Sequence, residues 1–168
     1  MFRKFKEEKF YRFKEFDEAR KYVEKFAYSK DTFDAIDYMI SHREFYFLLK
    51  NILKQLPDEK IVEYAFFNMP CLKRDEDLDI LLKLIQKYNV VKDYIKSCRN
   101  IDFAKKIYES GLKKEAIDIF KFIPEVNGWL KEKIKNENRE IKRKALEFFE
   151  IFDEDFAKRL KKEVSSGR

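Results

Sequence analysis

Glycine is scarce in this 168-residue chain: Gly111, Gly128 and Gly167 stand isolated. Neither a phosphate-cradling loop nor the dinucleotide-binding GxGxxG turn can be built from them. The single histidine, His42 in "SHREF", would have to serve every role in a Ser-His-Asp or Cys-His arrangement. Its place near a helix C-terminus fits a structural interaction with the helix dipole. Cys71 and Cys98 are the only cysteines, and no CxxC occurs. A zinc site needs three or four ligands at suitable spacing, so the pair reads as two small buried hydrophobes, with a disulfide as the alternative. No apolar run approaches the roughly 20 residues of a spanning helix, and no signal-peptide pattern is present. The expectation is an intracellular, cytoplasmic protein that uses no membrane, metal or cofactor.

What is abundant is apolar and charged. Hydrophobic residues make up 45% and charged residues 42% of the sequence, a composition that argues against disorder. The length suits one domain, 1–164, able to bury about two-thirds of the surface of its unfolded chain. Richness in Lys, Glu, Ile and Phe matches the hyperthermophile pattern and suggests a thermophilic source. The net charge of +6 comes from the two ends: residues 17–128 carry twenty basic and twenty acidic side chains. Both signs are interspersed, whereas a polyelectrolyte binder usually shows a one-sign patch. The closing "SSGR", residues 165–168, breaks from what precedes it and reads as an appended remnant outside the fold.

Turn signals recur every 10 to 18 residues with helical patterning between them. Asp17, Asp31 or Thr32, Asp58 and Asn100 are placed to cap helices, because their side-chain oxygens accept from the free amides of a first turn. Asp75, Glu76 and Asp77 suit a helix start, where carboxylates meet the positive end of the dipole. The D-x-D-x-D of Asp75, Asp77 and Asp79 is not a calcium loop. Ile80 stands where that loop needs Gly, and Gln86 where it needs a bidentate Glu. In the helix that follows, Leu78, Leu81, Leu82, Ile85 and Tyr88 form the expected buried stripe, and Ile80 and Leu84 suggest cover on a second side. Gly111 is placed to close a helix in the left-handed conformation. Leu112, Ala116, Ile119, Phe120 and Ile123 share one face of the next helix, and Pro124 suits the start of another segment. No strand-length alternation bounded by hairpin turns is present, so the fold class is all-α.

Helix starts near residues 17, 44, 76, 101 and 126 group as helix pairs at short intervals. Residues 139–160, "REIKRKALEFFEIFDEDFAKRL", place basic residues ahead of an Ala-Leu-aromatic helix and an acidic turn into the next helix. That segment resembles a HEAT-type repeat. Residues 103–120, "FAKKIYESGLKKEAIDIF", resemble a tetratricopeptide-type hairpin. The two resemblances imply an α-solenoid-like array or right-angled bundle of short antiparallel helix pairs, each burying its face by stacking on a neighbour. The spacing is shorter and less regular than in either family, which keeps an irregular helical bundle as the alternative.

Residues 2–16, "FRKFKEEKFYRFKEF", hold six aromatic rings and six basic side chains. On a helical wheel Phe2, Phe5, Phe13 and Phe16 share a narrow arc with Phe10 beside it, but Lys9 falls within the arc, which argues against a membrane-embedded face. As an aromatic and basic N-terminal helix, this stretch packs its Phe stripe on the first hairpin or presents Phe2, Phe5 and Phe10 to a protein partner. Further on, Lys131, Lys135, Arg139 and Lys142 make one stripe if residues 129–144 are a continuous helix, with Arg143 beside it. The functional expectation is a non-enzymatic protein-interaction scaffold or adaptor built from helical hairpins. The alternative is a nucleic-acid-binding helical protein using Arg3, Lys4, Lys6 and Arg12 together with Lys131, Lys135, Arg139, Lys142 and Arg143. Phosphate contacts of that kind release counterions and make affinity fall steeply with salt.

Overall fold

A computed structural model describes residues 30–166, and every regular element among them is helical. The chain divides into two compact units, Met1–Tyr94 and Ile95–Arg168.

In the first unit α1 (Lys30–Ser41) and α2 (Arg43–Lys54) are joined by His42 alone. α1 starts ahead of Asp31 and Thr32, so both lie inside the helix and not at its cap. His42 adopts an extended backbone that redirects the chain. Its Nδ1 lies 3.0 Å from the Tyr38 carbonyl, and its ring stacks on the Tyr38 ring at 3.8 Å. The Tyr38 carbonyl also accepts the His42 backbone N–H at 3.0 Å, so the histidine fastens the end of α1 through both its backbone and its ring. α3 (Glu59–Asn68) starts after Pro57, with Asp58 accepting from the Lys60 N–H at 3.0 Å. α4 (Asp75–Ile85) carries Asp75, Glu76 and Asp77 in its first turn. α1 packs on α2 and α3, and α2 packs on α4.

Of the expected stripe Leu81, Ile85 and Tyr88 are buried, as are Ile80 and Leu84 on the second side, and only Leu78 and Leu82 depart from the expectation. Asp77, Ile80, Leu81, Leu84 and Ile85 are buried, whereas Leu78 and Leu82 are half-buried. Asp77 lies on the same buried face as Leu81 and Leu84, where Lys50 of α2 donates to it.

The unit boundary falls within α5 (Asn89–Cys98). The second unit continues with α6 (Ile101–Glu109), capped by Asn100 on the Phe103 N–H at 3.1 Å, and α7 (Lys113–Phe120). Gly111, at φ 104°, makes the left-handed turn between them. A 3₁₀ turn opened by Pro124 leads to α8 (Asn127–Ile134). α9 (Arg139–Phe152) is capped by Asn138 on the Ile141 N–H at 2.9 Å. α10 (Glu154–Ser165) follows after one residue, Asp153.

α6 packs on α7, α7 on α9, and α9 on both α8 and α10. Ala116, Ile119, Phe120 and Ile123 are buried, as their shared face predicts. Ser165 is the last residue of α10 and Val164 before it is buried, so the helix runs one residue into the stretch expected to lie outside the fold.

Candidate functional site

In the first unit, the end of α1, the second turn of α2, the segment 70–74 and the first turn of α4 surround a groove of about 630 Å³. Asp77 projects from α4 toward it and, at 2% exposure, is the one buried charged residue among the described residues. The Lys50 ammonium donates to Asp77 Oδ1 and lies 5.2 Å from the centre of the Tyr46 ring. Burial, followed by the neighbouring Asp77 charge, pushes the Tyr46 phenol up to about 12. It therefore stays neutral and able to donate at physiological pH. Phe47, Leu72 and Pro70 supply apolar surface, while Lys73, Arg74 and Glu76 add charge.

The segment 70–74 is fastened from behind. The Tyr94 hydroxyl donates to the Pro70 carbonyl at 2.5 Å and accepts from the Leu72 N–H at 2.8 Å. The Tyr94 ring also meets Phe66 edge-on at 4.8 Å. This wall of the groove is thus held by α5 and α3, although it contains no regular element of its own.

Exposed apolar side chains are a second feature. Phe47 is 47% and Phe67 79% exposed in the first unit, and Phe122 is 51% and Ile151 59% exposed in the second. By contrast Trp129 is half-buried. Its ring meets Tyr108 at 5.4 Å and Phe120 at 5.7 Å edge-on, with the Lys105 and Lys133 ammoniums 5.6 and 5.4 Å from its centre. It belongs to the edge of the second unit's core.

The residues singled out from sequence fare unevenly. Phe2, Phe5, Phe10, Arg3, Lys4, Lys6 and Arg12 lie outside the described residues. The stripe from Lys131 to Arg143 is not one helical face, because α8 ends at Ile134 and α9 begins at Arg139. Asn138 sets that break by capping α9. Lys131 pairs with Asp153, Lys135 with Glu132 at 2.8 Å, and Lys142 with Glu163, while Arg139 and Arg143 are exposed. Cys71 is exposed and Cys98 half-buried, so the expectation of two small buried hydrophobes is corrected; neither is a free thiol.

Sequence reasoning missed Lys50 and Tyr46. The available signal was a charge on a buried stripe in each of two helices. Lys50 shares the face of Tyr46 and Leu53 on α2, and Asp77 shares that of Leu81 and Leu84 on α4. Opposite charges at such positions tend to meet, because an unpaired buried charge is costly.

Among the described residues no group of three or more His, Cys, Asp or Glu could hold a metal ion. No helix among them is long and apolar enough to cross a membrane. Comparison with protein families, curated proteins and solved structures found no match.

Proposed function

We propose that this protein is a non-enzymatic, intracellular interaction adaptor whose helical units present apolar side chains to another protein. The observation that carries the reading is Phe67, which leaves 79% of its surface in water near the end of a well-packed α3. Single apolar residues are ordinary on protein surfaces. A phenylalanine this exposed nevertheless forgoes most of the roughly 1.5–3 kcal/mol that full burial of such a side chain contributes, and a partner surface would recover it. Ile151, at 59% on α9, offers the second unit the same opportunity. The ion pairs on Lys131, Lys135 and Lys142 weaken the 131–143 part of the nucleic-acid alternative, because cations already matched by carboxylates release fewer counterions.

The test is recovery of the tagged protein from its native host, alongside Phe67→Ser and Ile151→Ser variants with unchanged thermal melting. A stoichiometric partner retained by the parent and lost from one variant supports the adaptor reading. Recovery of the parent only as a free monomer removes its support.

A further inference from the structure

The groove of the first unit has chemistry that the adaptor reading does not use. At about 630 Å³ it falls within the 300–1,000 Å³ typical of small-molecule sites. One side is apolar, formed by Phe47, Pro70 and Leu72, and the charged lining comprises Lys50, Lys73 and Arg74 against Glu76 and Asp77. Cations are therefore in excess by one. A buried ion pair is often no more stabilising than apolar packing of the same volume, so stability alone does not account for Lys50 and Asp77.

We propose that this groove binds a small amphipathic anion: an aromatic or branched aliphatic body carrying a carboxylate or phosphate. The Lys50 ammonium has three N–H donors, of which one goes to Asp77 Oδ1, leaving two for an incoming oxygen. Asp77 thereby acts as a positioning residue that fixes the ammonium. Arg74 reaches Glu76 at 3.4 Å with both side chains largely in solvent, a weak contact that a ligand anion can replace. Its guanidinium suits bidentate capture of a carboxylate or phosphate, and Lys73 adds a second exposed cation. The apolar body then rests on Phe47 and Pro70. The Tyr46 phenol, neutral at physiological pH, supplies a further donor within the lining.

The experiment titrates the full chain with 1-naphthoate, 1-naphthyl phosphate and the uncharged 1-naphthamide, read by calorimetry and by amide NMR shifts. One or both anions should bind and move the resonances of Phe47, Leu72 and Lys73, with the amide about tenfold weaker or worse, as expected for losing a charge-assisted contact. Comparison of the two anions identifies the preferred head group. The double variant Lys73→Glu/Arg74→Glu, at exposed positions, should abolish the anion preference, weakening the anions far more than naphthamide. Phe47→Ala should weaken all three probes.

The proposal is overturned if naphthamide binds as tightly as the anions or if the double variant keeps the parent's affinities. It is also overturned if no probe moves those resonances at millimolar concentration. A control variant, Lys87→Glu, lies outside the groove lining. If it weakens anion binding as much as the double variant does, the effect is general charge attraction and the site is rejected.

Discussion

The Lys131 ammonium of α8 pairs with the Asp153 carboxylate, and the same carboxylate accepts the Phe156 N–H that starts α10. Asp153 is also the residue at which α9 ends. A single acid therefore closes one helix, opens the next and holds a third. Lys131, followed by the Phe156 N–H, keeps its carboxyl below the usual carboxylate range. Asp153→Asn keeps a cap acceptor but loses the ion pair, whereas Asp153→Ala loses both. Melting temperatures at neutral pH should fall in the order parent, Asn variant, Ala variant. Equal melting of all three would show that the acid fastens nothing.

Acid should destabilise the second unit through more than this residue. Asp118 of α7, Lys121 just after it, and Lys144 and Glu147 of α9 form a closed charge ring, with Lys144 at 2.7 Å from Asp118 and 2.8 Å from Glu147. Lys121 and Lys144 hold Glu147 low, and Lys114 does the same for Glu140. A carboxyl whose folded pKa is depressed binds fewer protons in the native state than in the unfolded chain. Its stabilisation is complete above the unfolded carboxylate pKa, and it is lost as pH falls through the folded value. Stability measured by urea unfolding should be flat near neutrality and decline below about pH 4 to 5. Glu147→Gln should reduce the slope of that decline. An unchanged slope would mean that the ring is decorative.

Much of this second unit was legible in the sequence because its signals are local. Asn100, Gly111 and Pro124 each act within a turn or two, and the structure uses all three in their expected roles. The basic stripe failed for a reason equally local but easier to overlook. Asn138 caps a new helix and breaks the face that joins Lys131 to Lys142. The groove of the first unit was not legible, because Lys50 and Asp77 are 27 positions apart and their pairing depends on how α2 packs on α4. Periodicity identifies a buried face, but it does not say which opposing residue will meet a charge placed there.

Tyr94 is a second long-range contact with a measurable consequence. Its hydroxyl satisfies both the Pro70 carbonyl and the Leu72 N–H, and Leu72 is buried. Tyr94→Phe keeps the ring against Phe66 but leaves the Leu72 amide without that acceptor. A buried donor stranded in this way costs about 1–3 kcal/mol. Chemical denaturation should report a loss of that size, and amide exchange at Leu72 should accelerate. A loss below about 0.5 kcal/mol would indicate that water replaces the phenol at little cost.

The two left-handed residues of the second unit should respond to substitution in opposite directions. Gly111 has φ 104°, and a Cβ built there meets nothing within 4 Å, so Gly111→Ala is opposed by backbone conformation and not by crowding. A cost of about 1 kcal/mol or more is expected. Arg99 has φ 50° between α5 and Asn100, where an L-residue is strained. Arg99→Gly relieves that strain but raises the entropy of the unfolded chain, and a net gain of up to about 1 kcal/mol is expected. Destabilisation by Arg99→Gly would show that the arginine side chain contributes more than its backbone costs.

The salt dependence of nucleic-acid binding tests the alternative to the adaptor reading. Each phosphate neutralised by a free cation adds roughly 0.7 to 0.9 to the slope of log affinity against log salt. In the expected stripe Lys131, Lys135 and Lys142 already face carboxylates, leaving Arg139 and Arg143 as its exposed arginines. Two phosphate contacts from this region give a slope of only about −1.4 to −1.8. If only this stripe contributes, titrations with mixed DNA and RNA at about 50 and 200 mM salt should show a shallow dependence. A steep slope would require several more phosphate contacts than these two arginines provide. Comparing Arg139→Ala/Arg143→Ala with the parent would then show whether the excess arises elsewhere in the chain.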